Sequence, residues 1–124
     1  MIAKYKGKRI AVIGVSTREE KFGFKIFRDL LAKGLDAYGV NPVGGEVLGQ
    51  KIYKNLKDIL PVPDVVITVV PRQVTERVIE ECKELGVKEL WMQPGSESEL
   101  AIQKAEKYGL NFYSACFMAR NGIW

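Results

Sequence analysis

Hydrophobic residues in this chain alternate between unbroken apolar runs and stripes spaced three or four positions apart. Residues 10–15 form the first run, interrupted only by Gly14, and suit a parallel strand buried on both faces. Polar residues 16–21 break the pattern. Phe24, Phe27, Leu30 and Leu31 then recur at helical spacing, and Gly34 stands where a left-handed cap is expected. Residues 35–40 predict a second strand, ended by Asn41-Pro42 because proline has no N–H for a ladder. Residues 43–49 read as a flexible loop, 51–53 as a brief edge strand and 56–60 as one helical turn. Residues 64–70 repeat the strong strand pattern and stop at Pro71. Val74, Val78, Ile79, Cys82 and Leu85 mark a helix over 73–85, capped by Gly86. A strand over 88–92 leads to Gln93-Pro94-Gly95, and Ser96 with Glu99 matches a capping box for a helix ending at Gly109. Residues 110–113 predict a last strand, followed by a tail carrying Cys116, Met118 and Trp124.

Strands alternating with helices through short connections define an α/β fold with right-handed crossovers. The expectation is one domain over residues 1–124. It would be a single Rossmann-like open parallel sheet of about five strands with helices on both faces. Ligands of such sheets bind beyond the carboxyl ends of the strands. Those ends are Gly14-Val15-Ser16, Val40-Asn41-Pro42, Val70-Pro71-Arg72 and Gln93-Pro94-Gly95, three of them turns that contain proline. The strand, loop and helix over residues 9–33 also form a unit that presents backbone N–H groups and partial positive charge to a phosphate.

Composition then narrows the chemistry. The 124 residues contain no histidine, which removes a Ser-His-Asp triad, a phosphohistidine and histidine metal ligands. Cys82 and Cys116 are the only cysteines, with no CxxC or Cys/His cluster, so free thiols are expected and a zinc site is not. The net charge of +4 comes from 19 basic and 15 acidic residues that are interleaved, so no nucleic-acid partner is expected. The local excess of Arg18, Lys21, Lys25 and Arg28 suits a small polyanion instead. No apolar run approaches the length of a membrane span, and the basic start is not followed by the apolar segment of a signal peptide. A cytoplasmic protein without membrane contact is the expectation.

A dinucleotide is the default ligand of such a sheet, yet the fingerprint is missing. Gly14-Val15-Ser16-Thr17 replaces GxGxxG, and the second strand ends in Asn41-Pro42 where an NAD site carries a carboxylate for the ribose. The ordered set Gly14-Val15-Ser16, Lys21-Phe22-Gly23, Val40-Asn41-Pro42, Leu48-Gly49, Val70-Pro71-Arg72 and Trp91-Met92-Gln93-Pro94-Gly95 resembles the small stand-alone CoA-binding proteins. These are similar to the CoA-binding domain of the succinyl-CoA synthetase α subunit. The resemblance spans residues 8–116 and implies a bound CoA or acyl-CoA. On that basis Gly14, Ser16 and Thr17 would donate to phosphates, Lys21 would supply a cation and Gly23 would let the ligand approach the helix start. Val15 lies within the same loop. Val40, Asn41 and Pro42 would flank the adenosine, Val70, Pro71 and Arg72 would line the pantetheine path, and Gln93, Pro94 and Gly95 would close the far side. The synthetase's phosphorylated histidine has no counterpart here, so binding without catalysis is the leading expectation. Two alternatives stay open. One is a small enzyme or enzyme subunit acting on an acyl-CoA, with Glu19, Glu20 and Glu46 as acid/base groups; the other is an NAD-type nucleotide sensor.

Plainer readings stand beside these. Gly14 and Gly23 also suit ordinary turns, Ser16 and Thr17 helix caps, and Lys21 and Arg72 solvated surface. Asn41-Pro42 also suits a strand end, and Pro71 a helix start. Cys82 belongs to an apolar helical stripe and reads as core. Cys116 either fills the core or lies near the ligand, where a mixed disulfide with a ligand thiol would be its chemistry. Trp91 and Trp124 read as packing or interface residues, with Trp124 a candidate anchor for a second copy of the chain; an unidentified protein partner is equally open.

Overall fold

The computed structural model describes residues 2–124. A 3-10 turn at Ile2–Tyr5 precedes β1 (Arg9–Ile13), the central strand. α1 (Phe22–Ala32) carries the chain back to β2 (Asp36–Val40), and β3 (Glu46–Val47) with β4 (Gln50–Tyr53) forms a hairpin beyond it. The other half is β5 (Val65–Thr68), α2 (Arg72–Leu85), β6 (Glu89–Met92), α3 (Glu99–Lys107) and β7 (Asn111–Ser114), followed by α4 (Phe117–Arg120). The strand order is β3-β4-β2-β1-β5-β6-β7, parallel throughout except for β3 against β4. This is a Rossmann-like α/β sheet, with its order reversing on either side of β1.

The period of two along β1 divides the core. Ile10 and Val12 pack with Phe24, Ile26, Phe27 and Leu30 of α1 and with Phe117 and Met118 of α4. Ala11 and Ile13 turn to the opposite face, against Val78, Ile79 and Cys82 of α2 and Ala101 of α3. A strand covered on both sides needs apolar residues at every position, hence the unbroken run. Burial pushes the Cys82 thiol up to about 12, as expected of a core cysteine. The α1 helix ends as its sequence suggests. Gly34 takes a φ of 75° and its N–H reaches the Leu31 carbonyl at 2.9 Å, while the Leu35 N–H reaches Leu30 at 3.1 Å.

Four local expectations change. The sheet has seven strands rather than about five, because the brief edge strand over 51–53 pairs fully as β4 and the supposed flexible loop over 43–49 contains β3. Leu48 (φ 54°) and Gly49 (φ 76°) supply the two left-handed residues of a tight hairpin turn there. α1 starts at Phe22, before the apolar stripe, since a first helical turn can pack through a glycine. Ser96 does not open α3: Ser98 is its cap, accepting the Ala101 N–H at 3.0 Å. Finally, the tail after β7 winds into α4, whose Phe117 is fully buried against Tyr5 and Trp91.

Candidate functional site

At the carboxyl edge, Gly14 ends β1 with a φ of 108°, and a β-carbon there would meet the Val69 carbonyl oxygen. Gly23, in the first turn of α1, sits on Gly14: a β-carbon at Gly23 would overlap the Gly14 carbonyl oxygen. The pair lets α1 begin hard against the ends of β1 and β5. Gly23 is buried. Its missing side chain serves helix–strand packing. Val15 is buried too and packs in the α1-side core.

The loop after β2 is built on one amide. Asn41 donates from Nδ2 to the Val15 carbonyl at 2.9 Å, and its Oδ1 accepts from the N–H groups of Val43 at 2.9 Å and Gly44 at 2.7 Å. An ionised aspartate could accept the two N–H bonds but could not donate to Val15. The position that carries a carboxylate in an NAD site is thus occupied by a group the fold needs as an amide.

Two helices start at this edge without a side-chain cap. Lys21 precedes α1 and Pro71 precedes α2, and neither gives its helix a side-chain hydrogen bond, whereas Ser98 and Cys116 cap α3 and α4. First-turn N–H groups that lack an internal partner, with the partial positive charge of the helix end, suit an anion. Ser16 does not cap α1, because its Oγ accepts the Arg18 N–H at 3.0 Å within its own loop. Arg18 is held by Glu20 at 2.6 Å and Arg28 by Asp29 at 2.7 Å, while Lys21 and Lys25 form no ion pair among the described residues. Half of the expected cationic excess is therefore neutralised. Thr17 and Lys21 are exposed, Ser16 is half-buried, and none of the three walls a cavity.

The strand ends themselves converge. Gly14, Val40, Asn41, Pro42, Val70 and Pro71 line a cleft of about 420 Å³ together with Lys54, Arg77 and Glu81. Arg72 does not line it but stands exposed on the first turn of α2, and the arginine that lines the cleft is Arg77. Val69, Val70, Pro71, Pro94, Gly95 and Ser96 form a shallow depression of about 300 Å³ beside the cleft. Next comes a cavity of about 220 Å³ lined by Phe22, Val69, Gln93, Pro94, Cys116 and Trp124. Val70 and Pro71 belong to the first two hollows, and Val69 and Pro94 to the last two. The three make one track along the carboxyl edge. A separate hollow of about 260 Å³ among Lys8, Asp64, Lys88 and Glu89 lies at the amino edge and gathers none of the expected site residues.

Ser96 joins the two loops that floor this track. Buried at the start of the α3 connection, its Oγ accepts the Val70 N–H at 2.9 Å and donates to the Val70 carbonyl at 2.7 Å. Gln93, 6% exposed, accepts the Phe117 N–H on Oε1 at 2.7 Å and so fixes α4. In the cleft, burial pushes the Glu81 carboxyl up and Glu84 adds to this, while Lys57 and Arg77 pull it back. The candidate acid/base groups Glu19, Glu20 and Glu46 are all exposed, Glu20 in its pair with Arg18 and Glu46 out on β3. Trp124, suggested as an anchor for a second copy, donates its indole N–H to Asp29 at 2.7 Å and lies 6.1 Å from the Phe22 ring.

Lys54, Arg77 and Glu81 were not among the residues expected from sequence. Arg77 and Glu81 are four apart on α2 and flank its apolar stripe at Val74 and Val78, which is the one local signal available. Lys54 follows β4, whose place beside β2 no local pattern announces.

A Rossmann-like sheet with adjoining hollows along its carboxyl edge has the architecture of a small-ligand-binding α/β domain. The chain belongs to the CoA-binding domain family, whose pattern matches residues 8–122. It is 32% identical to the ADP-forming acetate–CoA ligase I subunit alpha of Pyrococcus furiosus, over 87% of this chain and 27% of that subunit. Among the ADP-forming acetate–CoA ligases it matches, the chain spans between 12% and 27% of their length. In structure it resembles a conserved hypothetical protein from Pyrococcus furiosus, with a TM-score of 0.86 and 38% identity, covering 91% of this chain and 98% of that one. A hypothetical protein from Pyrococcus horikoshii OT3 superimposes with a TM-score of 0.89 at 32% identity, covering 98% of this chain and 84% of the other. No helix among the described residues is long and apolar enough to cross a membrane.

Proposed function

We infer that this chain binds coenzyme A or an acyl-CoA without transforming it. The observation that carries the reading is the joined track of cleft, depression and cavity along the carboxyl edge. CoA is a long molecule with a charged nucleotide at one end and a narrow amide-bearing arm ending in a thiol. A cleft with cations, a shallow middle and a small apolar end cavity match those parts in order. Val40, Asn41 and Pro42 would hold the adenosine, with Arg77 and Lys54 near its phosphates. The uncapped starts of α1 and α2 and the unpaired Lys21 would face the pyrophosphate. Val70, Pro71, Pro94 and Gly95 would border the arm. The chain has no histidine, so chemistry passing through a phosphohistidine is closed to these residues, which favours holding over turnover. A cytoplasmic setting follows from such a ligand.

Calorimetry with reduced CoA tests this. Saturable binding at about 100 μM or tighter, undiminished by NADH at equal concentration, is expected. Absence of saturable binding overturns the reading, and displacement by NADH replaces it with a dinucleotide sensor. The Asn41 amide already disfavours the latter, because it stands where a ribose-binding carboxylate would be.

A further inference from the structure

The two cysteines occupy opposite situations. Cys82 is fully buried in the core, while Cys116 is half-buried and opens on the end cavity beside Phe22, Gln93 and Trp124. The Ala119 N–H donates to its sulfur at 3.4 Å, which holds the thiol in place at the start of α4. A second group in the same cavity is set for a ligand. The Phe117 N–H can only donate, so the Gln93 amide must turn its oxygen towards it. Gln93 lines the cavity and is only 6% exposed, and its amide nitrogen, still reached by solvent, has no hydrogen-bond partner among the described residues. That donor is free to bond an acceptor that enters the cavity. A pantetheine arm carries amide carbonyls close to its sulfur, so one end group satisfies Gln93 and brings sulfur to Cys116.

We propose that Cys116 is a thiol-exchange site, which captures a CoA disulfide lying along the track and becomes a mixed disulfide with CoA. This rests on the CoA reading above. The Cys116 thiol loses its proton and its sulfur attacks one sulfur of the CoA–CoA disulfide. The new Sγ–S bond forms as the old S–S bond breaks, and the departing CoA leaves with the electron pair and takes up a proton. The incoming disulfide is the oxidant, and no other reactant is required. A free thiol reverses the step, so the protein cycles between an open cavity and one closed by a covalent arm. Cys82, deep between α2 and the sheet, takes no part.

The test compares two disulfides at equal concentration, read by intact mass under non-reducing conditions with peptide mapping of the adduct. Reduced-CoA calorimetry runs alongside on the same preparation. CoA disulfide is expected to modify Cys116 at least about tenfold faster than glutathione disulfide, because docking raises the effective concentration of its sulfur. Added reduced CoA should slow that reaction, and Cys116→Ser should form no adduct. If reduced CoA binds but no adduct maps to Cys116, the exchange site is overturned while the binding function stands. Equal rates for the two disulfides would overturn the exchange site in the same way. If reduced CoA does not bind at all, both inferences fall together.

Discussion

At Gly23 the backbone of one element touches the backbone of another, and no side chain fits between. A β-carbon there would overlap the Gly14 carbonyl, and backbone cannot swing aside as a flexible side chain can. Gly23→Ala should therefore lower unfolding stability by about 1–3 kcal/mol. Urea denaturation would show this as an earlier midpoint at unchanged slope. A wild-type midpoint would mean that α1 can lift away from β1 at no cost. Asn41 illustrates the other side of residue-level reading. Its identity is visible in the sequence, but its three bonds to Val15, Val43 and Gly44 join two separate loops and come only with the fold.

Among the elements, α3 shows how two serines of one short stretch divide their work. Ser98 caps the helix through the Ala101 N–H and donates to Glu76 at 2.6 Å, whereas Ser96 is buried and tied to the Val70 backbone across the track. Ser98→Ala should cost about 1 kcal/mol, the usual value of a lost cap. Ser96→Ala leaves the part-buried Val70 N–H and carbonyl without their partner and should cost about 1–3 kcal/mol. Thermal or urea unfolding of the two variants checks the order, and a larger loss for Ser98→Ala would contradict these roles. The Ser-x-x-Glu pattern alone could not separate them. Ser96 is claimed by Val70, 26 residues away, and a local motif carries no record of that neighbour. β3 escaped for a related reason: a two-residue strand has too few positions to display a period.

For the whole molecule, Trp124 is fastened to α1 by a titrating group. The Arg28 guanidinium holds the Asp29 carboxyl below the usual carboxylate range, against the opposing effect of partial burial, and the Trp124 indole N–H adds to the lowering. A depressed carboxylate stabilises the fold above its unfolded pKa, about 3.9, and that contribution is lost as pH falls through the lower folded value. Stability measured from about pH 6 to about pH 2 should thus fall more steeply in the wild type than in Asp29→Asn. The asparagine keeps an acceptor for Trp124 but does not titrate. Parallel acid limbs would show that Asp29 contributes nothing through its charge. Because Trp124 and Phe22 line the end cavity, the same acid range should change Trp124 fluorescence.

The sequence by itself determined the class of fold, the buried strands β1 and β5, the helices α1 to α3 and the turns at the carboxyl ends. All of these are encoded in periods of two or 3.6 residues and in glycine and proline, which act on their nearest neighbours. Only the tertiary structure decided that Val69 and Val70, just past the end of β5, border three hollows between them, that Arg77 and not Arg72 lines the cleft, and that Gly23 is used in packing. Those outcomes depend on contacts between segments far apart in the chain, set by which strands lie side by side. No window of local sequence contains that order.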